Sequence, residues 1–390
     1  MTEQKDDAFY LQTLECVPTY DVDAVRNAVD EQLTFLRIEE DVAPEMKVLI
    51  KPNLVGDYHP YFATTTHPVV VEAIADWLIR HGCRNVCIAD SPAGAVSTMS
   101  NFDYDRFYQK VGYDHLERKG IQLNRDTGWG ERRSPEGCKN KSFHLLNAVL
   151  NADYIINVPK LKTHNTTTVS FGIKNLFGCV PDIQKPVFHA RYPRQKDFCN
   201  MLVELAMTVK PSLTVVDGIE IMEGNGPVAG EKRNLGMLFA AKDVFSQDRV
   251  LAELLGVPPD KIGMIQAAEQ KGLLHSPVVA SRTFVENTPI PPLKLPDVKT
   301  SHTVKERLAA AYHVLAKKGE KAILTVQPTH VPQNCDLCLR CVNSCPVHAI
   351  SAENGKIAFQ YDKCIGCLCC HETCSNHAIG TQKQLKMKKN

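Results

Sequence analysis

The segments CDLCLRCVNSCP, residues 335–346, and CIGCLCCHETCS, residues 364–375, decide the fold of the carboxyl-terminal part of this chain. In each segment four cysteines follow the spacing C-x2-C-x2-C-x3-C, and each cysteine of the second set lies 29 residues after its counterpart. The same offset relates His348-Ala349-Ile350 to His377-Ala378-Ile379. This repeat predicts an internal duplication with two pseudo-equivalent halves, each formed by a short helix and a hairpin strand.

The cysteine spacing is typical of ligands to 4Fe-4S clusters. Three cysteines two residues apart wrap one loop around a cluster, and a tight loop cannot place a fourth sulfur at the remaining corner. In a two-cluster arrangement the last cysteine of each run ligates the other cluster. We therefore predict that Cys335, Cys338, Cys341 and Cys374 bind cluster I, and that Cys364, Cys367, Cys370 and Cys345 bind cluster II.

Over residues 333–382 the tail resembles the bacterial two-cluster ferredoxin fold. It departs from that pattern in two places: Ser375 stands where a proline usually follows the last cysteine, and Cys369 is a ninth cysteine beside Cys370. The alternative is a zinc module, because paired C-x2-C units also bind zinc. Three cysteines at successive x2 spacings with a fourth at x3 favour iron–sulfur ligation.

The stretch from Lys47 to Ala241 alternates short apolar runs with helix-like segments such as HPVVVEAIADWLIRHG, residues 67–82. This alternation predicts an α/β fold with a mostly parallel sheet flanked by helices. The runs are VLI at 48–50, NVCIA at 85–89, DYIINV at 153–158, SLTVV at 212–216 and GMLFAA at 236–241. The proline-rich segment NTPIPPLKLPDVK, 287–299, predicts a boundary. The predicted domains are an α/β domain at 1–286, a proline-rich linker and helix at 287–332, and a small α+β two-cluster ferredoxin-like domain at 333–390.

The composition limits the function classes. The formal net charge of the 390 residues is +1, which provides no global field for nucleic acid or an anionic membrane. Nine of the 15 cysteines lie between Cys335 and Cys374, a clustering that favours metal ligation in a reducing compartment over a secreted disulfide framework. We therefore expect a soluble cytoplasmic protein that binds neither nucleic acid nor membrane.

Most of the first three hundred residues resemble the family called domain of unknown function 362, whose members often carry such a ferredoxin tail. The segments that carry this resemblance are Lys51-Pro52-Asn53, Thr66-His67-Pro68, Asp90-Ser91-Pro92, Pro159-Lys160-Leu161-Lys162-Thr163-His164 and Gly172-Ile173-Lys174-Asn175-Leu176-Phe177-Gly178. The resemblance implies a domain type and no particular activity.

Polar residues follow the predicted strands, and Asp243 follows the last of them. In an open parallel sheet the carboxyl ends of the strands form the ligand crevice, so these residues predict an anion site. The predicted substrate-binding residues are Lys51, Asn53, Asp90, Lys174, Asn175, Asp217 and Glu223. The predicted catalytic residues are His164, Lys160 and Lys162. His164 is favoured for proton transfer because an imidazole pKa lies nearest neutrality, and Asp90, Asp217 and Glu223 are also candidates for a divalent metal. The alternative for each residue is an ordinary solvated loop side chain.

Two further features bear on the site. The segment PDIQKPVFHARYPR, which contains Lys185 and His189, is consistent with a lid or with an ordinary surface loop. The chain contains no G-x4-G-K-[ST] phosphate loop and no dinucleotide fingerprint, so ATP and nicotinamide binding are unsupported. A flavin stays open, since flavin sites often lack a linear signature.

Three functions are compatible with these observations. The leading hypothesis is an iron–sulfur oxidoreductase, in which two 4Fe-4S clusters in the tail take low-potential electrons from a redox partner protein. A small anionic substrate or an unidentified cofactor in the α/β crevice receives these electrons. The second is a non-catalytic, ferredoxin-type electron carrier whose α/β domain docks a partner enzyme. The third is a redox-sensing nucleic-acid binder, which is weaker because the sequence has no basic stripe.

Overall fold

The computed structural model describes residues 11–92, 102–275, 278–281, 290–296, 320–353 and 355–389. The linker helix predicted over residues 304–319 lies outside these ranges, as does most of the proline-rich segment. Within the described residues, no helix combines the length and the apolar character needed to cross a lipid bilayer.

The described strands are labelled in chain order. They are β1 (Leu11–Cys16), β2 (Lys47–Pro52), β3 (Asn85–Ile88), β4 (Gln122–Leu123), β5 (Trp129–Arg133), β6 (Ser142–Leu146), β7 (Tyr154–Val158), β8 (Lys160–His164), β9 (Thr168–Ser170), β10 (Leu213–Glu223), β11 (Glu231–Ala241), β12 (Val278–Ser281), β13 (Glu320–His330), β14 (Ile350–Glu353), β15 (Lys356–Phe359) and β16 (Ile379–Lys389).

The described α-helices are labelled in the same way. They are α1 (Val22–Phe35), α2 (Pro68–Arg80), α3 (Tyr104–Val111), α4 (Asn147–Leu150), α5 (Gly172–Asn175), α6 (Lys185–Arg191), α7 (Gln195–Val209), α8 (Val244–Leu254), α9 (Gly263–Gln270), α10 (Arg340–Asn343) and α11 (Cys369–Glu372).

Ten of the described strands form one mixed sheet with the order β12-β1-β11-β10-β7-β2-β3-β4, and β8 and β9 branch from β10. The core of this sheet is parallel: β7 pairs in parallel with β10 and β2, and β2 with β3. The α/β fold with a mostly parallel sheet is therefore confirmed. All five apolar runs lie in strands of this sheet.

One expectation about the sheet is wrong. We expected the residues after all five runs to meet at one edge, but β11 runs antiparallel to β10. The carboxyl end of β11 consequently lies at the opposite edge, where Asp243 caps α8 by accepting hydrogen bonds from the amides of Phe245 and Ser246.

The sheet is buried on both faces, as parallel strands with near-continuous apolar runs require. Alternate residues of β2 show this division, because Val48 and Ile50 enter one core and Leu49 enters the other. The first core is completed by α1, α2 and α3, and the second by α7, α8 and α9. The helix α2 begins where its sequence predicts, with Pro68 in its first turn, and the chain turns at Gly82 with φ of 88°.

The carboxyl-terminal unit has its own small core of cysteines and aliphatic residues, among them Ile350, Ile357 and Ile379. The strand β13 pairs with β16 along all eleven residues. The boundary predicted at residue 333 therefore separates two paired strands, and the unit extends back to Glu320. In the described part of the proline-rich segment, Leu293 is buried in the core of the α/β domain, so this part is packed and does not act as a free linker.

Candidate functional site

A cavity of about 80 Å³ lies at the carboxyl ends of β2, β3 and β8, between the α/β domain and the second cysteine segment. It has room for roughly five water molecules. Seven of the residues predicted for the site line it: Lys51, Asn53, Asp90, Lys162, His164, Lys174 and Asn175. A larger cleft of about 450 Å³ lies beside the amino ends of β2 and β3, at the edge of the sheet where ligands of this fold class are not expected.

The strand β8 brings two of these side chains into the cavity. Its sequence is Lys-Leu-Lys-Thr-His, and successive side chains of a strand point to opposite faces. Lys162 and His164 therefore lie on the same face of the strand. All five residues are buried, and Lys162 Nζ donates to Asn53 Oδ1 at 3.1 Å and to the carbonyl oxygen of Thr64 at 2.6 Å. A lysine held by neutral oxygens keeps its positive charge available to a ligand.

Lys51 and Asp90 form a buried ion pair in the cavity wall, with Nζ and Oδ1 2.7 Å apart. Asp90 also accepts from the amide of Leu54 at 2.6 Å, which connects the ends of β2 and β3. A methyl group at Gly178 would overlap both Asp90 Oδ1 and Lys51 Nζ. Gly178 is therefore required for the close approach of this pair to the backbone.

Lys174 and Lys185 add two further positive charges. Lys174 Nζ lies 5.1 Å from the centre of the Phe177 ring, and among the described residues it has no carboxylate within 4 Å. Lys185 Nζ donates to the carbonyl oxygen of Ser91. The segment that carries Lys185 and His189 forms the helix α6, and both side chains line the cavity. The lysine and the histidine are thus part of the cavity wall.

Burial lowers the pKa of these lysines. For Lys162, burial and then the charge of Lys174 lower the pKa to about 7. For Lys185, burial lowers the pKa to about 8 against the opposing charges of Asp90 and Asp182. Burial also lowers the pKa of Lys174, opposed by Glu372. Strongly perturbed titratable groups that converge on one cavity are typical of functional sites.

The sequence favoured His164 for proton transfer because an imidazole pKa usually lies near neutrality, but the pKa of this ring does not. Burial, followed by the charge of Lys174, lowers its pKa to about 3, so the ring is neutral near pH 7. The amide of Thr166 donates to His164 Nδ1 at 3.1 Å, which places the ring proton on Nε2. The cavity group whose pKa lies nearest neutrality is Lys162.

Glu372, from the second cysteine segment, also enters the cavity, and sequence reasoning missed it. Its Oε1 accepts from Thr166 Oγ1 at 2.8 Å and lies 3.9 Å from His164 Nε2. Burial alone would raise the pKa of this carboxyl, but His164, His189 and Lys174 together with the Thr166 hydroxyl lower it to about 2. No local sequence signal marks a contact between residues more than two hundred positions apart.

Further contacts hold both cysteine segments against the α/β domain. Tyr58 Oη donates to the carbonyl oxygen of Thr373 of the second segment at 3.1 Å, and the guanidinium of Arg340 of the first segment lies 4.7 Å from the centre of the Tyr58 ring. Cys369 and Thr373 line the cavity with Glu372. The ninth cysteine therefore lies at the boundary between the two units.

Three predicted residues lie outside the cavity lining. Lys160 Nζ and Asp217 Oδ2 form a buried ion pair at 2.9 Å, and Asp217 also accepts from Tyr20 Oη at 2.9 Å and from the amide of His67 at 2.9 Å. Glu223 accepts from Arg233 Nη1 at 2.9 Å. Asp90, Asp217 and Glu223 are thus each bound by groups of the chain itself, and they do not converge on a metal site.

The two cysteine segments share one backbone conformation, which confirms the internal duplication. Positive φ values recur at the 29-residue offset in Leu337 and Gly366, in Leu339 and Leu368, and in His348 and His377. In both halves an amide donates to the last cysteine: Ala349 to Cys345 Sγ at 3.1 Å, and Ala378 to Cys374 Sγ at 3.2 Å. Left-handed residues within a turn direct amides inward, as in nests that bind iron–sulfur clusters.

Thiols of the two cysteine segments are close enough to affect one another's pKa. Burial, followed by the charges of Cys374, Cys338 and Cys335, raises the pKa of the Cys341 thiol to about 11. Burial, and then Cys367, Cys364, Cys341 and Cys345, raises the pKa of Cys370 well above its usual value. Among the described residues, no three His, Cys, Asp or Glu side chains lie close enough together to bind a single metal ion. A 4Fe-4S cluster takes four cysteines for four irons, so its thiolates are spread over the cluster.

The chain is similar to several known proteins. Residues 48–253 match the family described as domain of unknown function (DUF362), and residues 327–375 match the 4Fe-4S dicluster domain. The thylakoid-associated protein sll1697 of Synechocystis sp. is 34% identical over 264 residues, which cover 66% of this chain and 78% of that protein. The structure of the lactate racemase apoprotein from Thermoanaerobacterium thermosaccharolyticum shares 13% identity with a TM-score of 0.39, covering 64% of this chain and 58% of the racemase chain.

Proposed function

Because this chain belongs to the domain of unknown function 362 family and carries a 4Fe-4S ferredoxin-type domain, we propose that it is an iron–sulfur oxidoreductase. In this proposal the protein transfers low-potential electrons to a small anionic substrate, or to an unidentified cofactor, in the cavity. The single observation that carries the proposal is the position of the cavity. Lysines of the α/β domain line one side, and Cys369 and Glu372 of the second cysteine segment line the other.

The predicted ligand sets fit the arrangement of the thiols. Cluster I takes Cys335, Cys338, Cys341 and Cys374, and cluster II takes Cys364, Cys367, Cys370 and Cys345. The bound clusters supply one-electron transfer at low potential. The grouping of thiol charges around Cys341 and Cys370 supports this interlocked assignment.

The residues of the chain have distinct roles in this proposal. The ammonium groups of Lys174 and Lys185 bind the anion, and the pair of Lys51 with Asp90 keeps the wall rigid. Lys162 exchanges a proton with the bound molecule, because a group with a pKa of about 7 donates and accepts protons near neutral pH. Phe177, Val55 and Val228 line the cavity and limit the access of water.

Exposure differs between the two cysteine segments at one equivalent position. Cys338 is exposed, and its neighbours Leu337 and Leu339 are 41% and 39% exposed, whereas Cys367, the counterpart of Cys338, is half-buried. Cys369 of the second segment is buried and lines the cavity. These apolar side chains support a contact with a redox partner protein at cluster I, leaving cluster II as the inner site. They also favour the second candidate, a non-catalytic electron carrier.

The cavity gives no support for a flavin. Its volume of about 80 Å³ lies well below the roughly 300 Å³ at which pockets for larger organic ligands begin. A reducing compartment suits the cysteine thiolates, so we place the protein in the cytoplasm. The relative from Synechocystis is named for thylakoid association, and nothing in the described residues of this chain provides an apolar membrane span.

The test is a reoxidation experiment under anaerobic conditions. The protein is reduced stoichiometrically, mixed with a panel of reducible small anions from nitrite and sulfite to 2-oxo carboxylates, and followed by visible absorbance. We expect at least one anion to reoxidise the wild-type protein, and we expect Lys174→Met and Glu372→Gln to slow this reaction without changing the spectrum before mixing. Lys196→Met, at an exposed lysine, is the matched control.

The opposite result identifies the alternative. If every anion leaves the protein reduced, while a redox protein reoxidises wild type and Lys174→Met at equal rates, the chain is an electron carrier and the cavity has no part in its reaction.

A further inference from the structure

The lining of the cavity contains more positive than negative side chains. Lys51, Lys162, Lys174 and Lys185 face the two carboxylates of Asp90 and Glu372. Asp182 lies outside the lining but acts on Lys185, and even with it the lysines outnumber the carboxylates. Residues 93–101, which follow the end of β3, contain no ionisable side chain. A buried surplus of positive charge is costly, and it is relieved when a lysine loses its proton or when an anion binds.

The positive charges lie at two separate positions along the edge of the sheet. Lys162 is anchored at Asn53, after β2, whereas Lys185 is anchored at Ser91, after β3. The strands β2 and β3 are neighbours, so these two anchors follow the ends of adjacent strands. Lys174 lines the same cavity as Lys162 and Lys185. One compact anionic group would leave one of these positions uncompensated.

The remaining lining suits a short carbon skeleton. Val55, Phe177 and Val228 are apolar, and the cavity of about 80 Å³ admits an organic molecule of about six non-hydrogen atoms. The described residues that line the cavity include no long helix whose N-terminus could bind a phosphate group. Compact dicarboxylates share the required size, charge and separation of anionic ends.

We propose that the cavity binds a small dicarboxylate, with one carboxylate between Lys162 and Lys174 and the other between Lys174 and Lys185. This inference rests on the proposed function, since it specifies the substrate class of the same cavity. It makes Lys185 a specificity residue that distinguishes a dianion from a monoanion of equal size.

Isothermal titration calorimetry with oxalate and oxamate at pH 7 tests the proposal on the cluster-loaded, oxidised protein. The two molecules have the same number of non-hydrogen atoms and nearly the same shape, but oxalate carries two negative charges and oxamate one. We expect oxalate to bind about tenfold or more tightly than oxamate, because the second charge meets a buried ammonium group in a medium less polar than water. Lys185→Met should reduce this ratio, whereas Lys196→Met should leave it unchanged.

The proposal is overturned if oxalate and oxamate bind equally, if neither binds, or if inorganic phosphate binds more tightly than oxalate. Should Lys185→Met fail to fold, Lys185→Gln, which removes the charge but keeps a hydrogen-bond donor for the carbonyl oxygen of Ser91, provides the same comparison. Calorimetry detects no electron transfer, so its outcome is separate from the reoxidation experiment. If oxalate binds no more tightly than oxamate while a monoanion still reoxidises the protein, the proposed oxidoreductase function is retained and only the dicarboxylate proposal is rejected.

Discussion

Replacing Asp217 with Asn tests a structural role for Lys160. Lys160 Nζ is buried beside Asp217 Oδ2 at 2.9 Å, and the exposed fractions of the two side chains are 1% and 0%. The substitution keeps the shape of the side chain but removes the negative charge. Breaking a buried ion pair on one side costs about 3–5 kcal/mol, because the other charge stays buried without compensation.

Deprotonation limits this cost. A lysine with a reference pKa of about 10.4 loses its proton at pH 7 for about 4.6 kcal/mol, at about 1.36 kcal/mol per pH unit. In Asp217→Asn we therefore expect a neutral Lys160 in the folded state and a loss of about 3–5 kcal/mol in the free energy of unfolding at pH 7. The unfolded state then binds more protons, so the stability of the variant rises with pH by about 1.36 kcal/mol per unit. The deficit shrinks at this rate as long as Lys160 stays charged in the wild-type protein, where burial lowers its pKa.

Tryptophan fluorescence during denaturant unfolding measures this effect, because both tryptophans, Trp77 and Trp129, lie in the α/β domain. Lys160→Met combined with Asp217→Leu should recover most of the stability, since an apolar pair leaves no buried charge. Asp197→Asn, at the surface pair with Arg194, is the control and should change stability by less than about 1 kcal/mol. A deficit below about 1 kcal/mol in Asp217→Asn, or one that does not depend on pH, would refute the reasoning.

Three further predictions address the cavity and the clusters. Gly178→Ala should abolish anion binding measured by calorimetry, because its methyl group overlaps the carboxylate of Asp90; unchanged binding would contradict the described geometry. Oxalate affinity should fall from pH 6.5 to pH 9, by roughly tenfold per pH unit between pH 7 and 8 and by close to a hundredfold per unit near pH 9, because Lys162 and Lys185 lose protons with pKa values of about 7 and 8. A pH-independent affinity would exclude these lysines as anion ligands. In Cys374→Ser the residual electron paramagnetic resonance spectrum should match that of Cys338→Ser; a match to Cys367→Ser would mean that the ligands are not interlocked.

The sequence predicts those structural elements that depend on residues close together in the chain. Apolar runs predict the strands of the sheet because a strand buried on both faces needs a continuous apolar segment. The strand β8 does not follow this rule: the stretch from Lys160 to His164 has an ionisable residue at every second position, and the burial of its lysines depends on carbonyl and carboxylate partners distant in sequence. The cysteine repeat is equally local, since the spacing of the ligands determines the loop around a cluster.

Several residues of the cavity come together through contacts between positions that are far apart in the sequence, so the sequence alone does not predict them. Glu372 follows a cluster ligand in the tail, yet its carboxylate meets Thr166 of the α/β domain. The segment with Lys185 contains a proline and suggests a loop, but Pro186 lies in the first turn of α6, where proline is tolerated. The sequence does not reveal the lowered pKa of His164 for the same reason, because the burial of this ring is a property of the folded chain.

The central claim is that a small anion binds next to an electron-carrying cluster. Electron–nuclear double resonance on the reduced protein with ¹³C-oxalate, at a concentration that saturates the calorimetric binding, tests it most directly. The account predicts a ¹³C hyperfine coupling to the cluster paramagnetism in wild type and in Cys374→Ser, and its loss in Cys367→Ser. Saturated binding without any ¹³C coupling in the wild-type protein would contradict the account, because the cavity would then be remote from the clusters.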